Sequence, residues 1–74
     1  MSRPPGVARG LGKAIQAARI GHGWSQTDLA HKAGLSRSTV SRVELGEEPS
    51  TRTLLCLTDA LDLVFDVHPR RPSN

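Results

Sequence analysis

Apolar positions recur along the chain with two different periods. Leu11, Ala14, Ile15 and Ala18 fall at i, i+3, i+4 and i+7, one stripe of a helix that Gly21 and Gly23 then end. Leu29, Ala30 and Ala33 mark a second helix, Val40 and Val43 a third, and Leu54, Leu57 and Leu61 a fourth. Beyond Leu61 the period changes. Leu63, Phe65 and Val67 alternate with Val64, Asp66 and His68, and Pro69 closes the run. That two-residue repeat predicts a strand.

The polar positions between these stripes carry helix-start and helix-stop chemistry. Ser25 is a good N-cap, and Asp28 stands three residues on, so the pair predicts a capping box with Asp in the usual Glu position. Trp24 precedes the cap and Leu29 follows it at the spacing of a hydrophobic staple. Gly34 comes after the last turn, where a left-handed residue is wanted. Ser36 caps the third helix, Leu35 and Val40 form its staple, and Gly46 stops it. Ser50 caps the fourth helix after the linker Glu47-Glu48-Pro49. Each Ser cap is worth about 1 kcal/mol. That matters in a chain of 74 residues, which has little core to spare.

The pattern divides the chain into a flexible basic N-terminal arm (1–9), a helical domain (10–62) with a helix-turn-helix at 26–45, a strand (63–68) and a loose basic tail (69–74). A lone strand leaves its backbone N–H and C=O groups unpaired. The simplest partner is the same strand of a second copy, antiparallel across a two-fold axis, with Leu63, Phe65 and Val67 as the dimer strand. The rival reading is the frayed end of the fourth helix. The expected fold class is all-α, a small bundle of four to five helices with a C-terminal strand pairing across a homodimer.

Charge is unevenly spread. Residues 1–43 carry seven basic residues against one acidic, and residues 44–66 one basic against six acidic. A basic half suits a polyanion, and the acidic half then faces something else. The other residue types argue against catalysis. Cys56 is single and reads as a small core residue. His22, His31 and His68 have no metal-ligand spacing with it or with one another, so neither a metal nor a cofactor is expected. There is no Ser/His/Asp arrangement and no phosphate-cradling glycine loop. No apolar run reaches signal-peptide or membrane-spanning length, so the expected place is the cytoplasm, at the nucleoid.

Two helices joined by a short glycine-containing turn form the DNA-binding helix-turn-helix arrangement. Ala30 is small enough for the helices to approach. Gly34 takes positive φ without strain, and Val40 returns the chain to the core. With Val40 and Val43 inward, Arg37, Ser38, Ser41 and Arg42 project outward, and arginine offers a bidentate fork to guanine O6 and N7. Gln26 opens the second helix, where unpaired N–H groups attract phosphate, and Ser36 opens the third. Lys32 and Arg52 are further phosphate candidates. Arg3 and Arg9 are placed to follow the backbone or enter a minor groove.

Gln26-x-x-Leu29-Ala30, Ala33-Gly34-Leu35-Ser36, Thr39-Val40-Ser41-Arg42-Val43-Glu44 and Gly46 together resemble the phage-repressor or Cro-type helix-turn-helix family, also called the xenobiotic-response-element family, over about residues 10–68. With Pro49-Ser50, Leu54-Leu55, Ala60-Leu61 and Leu63-Val64-Phe65, the chain more narrowly resembles HipB-type antitoxins. The resemblance implies a lambda-repressor-like fold, no catalysis, and dimeric binding to an inverted-repeat operator. It implies base contacts from Arg37, Ser38 and Arg42, adds Thr39, and gives Gln26 to a phosphate. It also implies an ion pair between Arg19 and Glu44, and glycine where this chain has Asp62. A HipB-type antitoxin represses its own operon and neutralises a HipA-type kinase toxin. The alternatives are a stand-alone phage-repressor-type regulator and a protein-interaction module that does not touch DNA.

Overall fold

The computed structural model describes residues 6–63. Among these residues four helices follow one another: α1 (Gly6–Gly21), α2 (Gln26–Ala33), α3 (Arg37–Glu44) and α4 (Thr51–Leu61). No strand forms among the described residues, and no helix there is long and apolar enough to cross a membrane. α1 and α2 both pack on α3 and α4. Among the described residues the buried core draws on each of these helices, through Ile15, Leu29, Ala30, Val40, Val43, Leu57 and Leu61. Leu11, Ala18, Trp24, Ala33, Leu35, Ala60 and Leu63 close around them, half-buried. Helices of eight residues, such as α2 and α3, are too short to persist alone in water. Their caps and their share of this core hold them.

The caps form as the sequence predicts. Ser25 accepts from the Asp28 backbone N–H, and Asp28 Oδ2 accepts from the Ser25 N–H at 2.8 Å. Ser36 and Ser50 accept from the backbone N–H groups of Thr39 and Thr53. Gly46, at φ 106°, follows the end of α3, and the Glu47 N–H donates back to the Arg42 carbonyl.

Three expectations need correction. α1 begins at Gly6, four residues inside the stretch expected to be an arm. Nothing after Pro5 breaks a helix, so docking of Leu11 and Ile15 lets the helix run upstream without core contacts of its own, and Val7 stays exposed. Ala14 faces solvent, because the buried stripe runs through Leu11, Gly12, Ile15 and Ala18. Leu63 closes the cap of α4 instead of opening a strand. Asp62 is left-handed (φ 59°, ψ 42°), the Leu63 N–H donates to the Thr58 carbonyl at 2.8 Å, and the Leu63 side chain packs back on the core. Phe65 and Val67, expected in the same strand, lie outside the described residues.

Candidate nucleic-acid interface

The candidate interface is built by the turn between α2 and α3. Gly34 sits at φ 72°, ψ 32°, a conformation that costs an L-residue with a side chain roughly 1–2 kcal/mol. The Leu35 N–H then donates to the Ala30 carbonyl at 2.9 Å, satisfying an orphan carbonyl at the end of α2. Ala30 is buried at the crossing. The turn hands the chain to Ser36, whose hydroxyl caps α3.

On α3 the two faces separate cleanly. Val40 is 0% exposed and Val43 3%, and these two anchors fix the rotation of the helix. Arg37, Ser38 and Arg42 are then exposed, with Ser41 and Thr39 half-buried at the flanks. The Ser36 hydroxyl lies 2.8 Å from the Thr39 hydroxyl and 3.3 Å from that of Ser38. Three hydroxyls are thus linked at the N-terminus of α3, where the helix dipole favours an anion. Arg42 Nε lies 3.3 Å from Glu47 Oε1, both side chains being mostly exposed.

A clamp beneath this face ties three helices. Arg19 Nε and Nη2 donate to the two oxygens of Glu44 at 2.7 and 3.0 Å. Arg19 Nη1 donates to the Trp24 carbonyl at 2.8 Å. Gln26 Nε2 donates to Glu44 Oε1 at 3.1 Å. The hydrogen bond to Glu44 raises the Arg19 pKa above its ordinary value, so the guanidinium is permanently charged. The ion pair implied by the family resemblance is therefore present. Gln26 enters it, which orients that side chain at the N-terminus of α2.

The remaining basic candidates are dispersed. Lys32 Nζ lies over the Trp24 ring, 4.9 Å from its centroid, and His22 stacks on the same ring at 4.3 Å. His22 Nε2 also comes within 3.3 Å of the Leu61 carbonyl, so this column joins the α1–α2 turn to the end of α4. Arg52 is exposed in the first turn of α4. The stem of Arg9 runs beside Gly46 at the end of α3. Arg3 lies outside the described residues.

Gly12 is the residue that sequence reasoning missed. A Cβ there would collide with the Val43 carbonyl oxygen and lie 3.0 Å from that of Glu44. Gly12 thus sets how closely α1 approaches the end of α3. The available signal was a glycine inside an otherwise helical stripe.

The helix-turn-helix family profile matches residues 15–66. Among solved structures, a chain of the "Structure of HipA-HipB-O2-O3 complex" superposes on this one with a TM-score of 0.75 and 24% identity. The match covers 96% of this chain and 97% of that one. No curated protein sequence matches the chain. The chain belongs to the Cro/C1-type helix-turn-helix family of DNA-binding regulators.

Proposed function

We propose that this protein is a homodimeric repressor that reads an inverted-repeat operator in double-stranded DNA, and that it is the antitoxin of a HipBA-like module. The observation that carries the DNA-binding part is the division of α3. Val40 and Val43 are locked in the core while Arg37, Ser38 and Arg42 stand exposed just past a left-handed Gly34. α3 enters the major groove by its N-terminus. Arg37, Ser38, Ser41 and Arg42 meet base edges, with Thr39 beside them. Gln26, Ser36, Lys32 and Arg52 meet phosphates. The protein acts by binding and not by catalysis, in the cytoplasm at the nucleoid.

The dimer reading draws on two features. Two copies of α3 about 34 Å apart reach half-sites one helical turn apart. Leu55 stands exposed on α4 in an open groove with Leu63, and from Leu63 the chain runs on into the alternating segment 64–68. The antitoxin reading draws on the similarity to a chain from a complex with HipA and on the acidic second half of the sequence.

The test is fluorescence anisotropy on a labelled duplex from upstream of the protein's own gene. Arg37→Ala and Arg42→Ala should each weaken binding about tenfold or more, as loss of a bidentate base contact does, with the circular-dichroism spectrum unchanged. Failure of the unaltered chain to bind any duplex would favour a protein-interaction scaffold instead, whereas binding that both variants leave intact would remove Arg37 and Arg42 from the DNA contact. For the dimer, Phe65→Asp should sediment as a monomer. For the antitoxin role, the product of the neighbouring reading frame should be kinase-like and co-purify with this chain. Its absence would leave a stand-alone regulator.

A further inference from the structure

We propose that Glu47 is a positioning residue for Arg42: it holds the Nε edge of the guanidinium, so that the Nη edge is presented to a guanine and kept off the phosphates. This rests on the DNA-binding reading above and goes beyond it, since Glu47 lies outside α3 and touches no predicted base.

The recorded contact is at the Nε end of the guanidinium. The ion pair joins Arg42 Nε to Glu47 Oε1 at 3.3 Å. A guanidinium has five N–H donors in a fixed fork. End-on reading of guanine O6 and N7 uses the two Nη groups and leaves Nε to spare. A carboxylate on Nε therefore does not compete with base reading; it orients the fork for it. The same carboxylate repels a phosphate that approaches the guanidinium from that side. An unrestrained arginine would bind the nearest phosphate whatever the sequence. Glu47 thus exchanges part of the sequence-independent affinity for discrimination.

The backbone at Glu47 is held in place independently of the side-chain charge. Gly46, at φ 106°, turns the chain back, and the Glu47 backbone N–H donates to the Arg42 carbonyl at 3.0 Å. With side chains 58% and 66% exposed, the pair adds little to folding, so removing the charge leaves the domain intact. Glu44 does not substitute for it, because its carboxylate is occupied by Arg19 and Gln26.

The experiment measures binding of the full chain and of Glu47→Gln to two duplexes. One is selected from a random pool by the unaltered protein, and the other is a shuffled sequence of the same composition. Glu47→Gln should bind the shuffled duplex several-fold more tightly, with a salt slope steeper by roughly one. It should gain nothing on the selected duplex, so the ratio falls about fivefold or more. In an Arg42→Ala background, Glu47→Gln should change both affinities by the same factor. Equal gains on both duplexes when Arg42 is intact would mean simple loss of a negative charge and would overturn the assignment. An unaltered chain that binds no duplex at all would overturn the DNA-binding reading, and this proposal with it.

Discussion

The Arg19 guanidinium and the Glu44 carboxylate, twenty-five residues apart, meet through two hydrogen bonds with side-chain exposures of 12% and 2%. The two partners are not equally dispensable. Arg19→Ala leaves the more deeply buried carboxylate with only the Gln26 amide. Glu44→Ala leaves a guanidinium that keeps the Trp24 carbonyl and some access to water. Stranding a buried charge is what makes breaking such a pair costly. Arg19→Ala should therefore lower stability by about 3 kcal/mol and Glu44→Ala by less, read as a drop in urea midpoint at constant m. Equal losses would contradict the asymmetry.

Gly12 and Gly10 lie in the same helix and predict opposite signs. Replacing a helix-interior glycine with alanine ordinarily stabilises by roughly 0.5–1 kcal/mol, and nothing lies within 4 Å of a Cβ at Gly10. At Gly12 the new Cβ runs into backbone oxygens of Val43 and Glu44, which cannot turn aside as a side chain could. Gly10→Ala should raise the melting temperature. Gly12→Ala should lower stability by about 1–3 kcal/mol, as overpacking does, and loosen the junction of α1 with α3. Thermal unfolding of the two variants side by side decides it.

Capping and turn chemistry is local, and for that reason Ser25, Asp28, Gly34, Ser36, Gly46 and Ser50 were legible in the sequence. Each acts on backbone groups within a few residues. The exposure of Arg37, Ser38 and Arg42 on α3 was legible too, because Val40 and Val43 fix the helix rotation, whereas Ser41, expected outward with them, is half-buried. What escaped depends on where distant segments meet. The contact at Gly12 is set by the α1–α3 distance, which no periodicity encodes, and the stripe through Leu11 and Ile15 fitted Ala14 as well as Gly12. Leu63 fitted a strand because alternation starts there, but its backbone N–H was already claimed by Thr58. The contact of Lys32 with Trp24 was not legible either, because Trp24, eight residues earlier, lies outside α2 and is not a helical neighbour of it.

Gly34 and Asp62 are both left-handed helix caps, one with the residue suited to it and one without. Nothing lies within 4 Å of a Cβ at Gly34, so Gly34→Ala should lose only the conformational term, roughly 1–2 kcal/mol. Asp62→Gly should gain about 0.5–1 kcal/mol, since the strain relieved outweighs the extra chain entropy of the unfolded state. Chemical denaturation should move in opposite directions for the two. A loss of stability in Asp62→Gly would mean that the Asp62 side chain makes a contribution larger than its strain.

Asp28 gives the fold an acid-sensitive element. Its carboxylate accepts the Ser25 backbone N–H at 2.8 Å. Hydrogen bonds from the Ser25 backbone and then its side chain hold the Asp28 pKa below its ordinary value. The unfolded chain therefore takes up this proton at a higher pH than the folded one does. Asp28 contributes its full stabilisation above the ordinary aspartate value of about 3.9. The contribution declines as pH falls through that value and is gone below the lowered folded one. Asp28→Asn removes the titrating group, since an amide carries no proton to gain. Urea midpoints measured from neutral pH down to about pH 2 should then show the unaltered protein more stable than Asp28→Asn near neutrality, with the gap closing in acid. A gap that stays constant across the range would mean that the Asp28 charge is not what holds the start of α2.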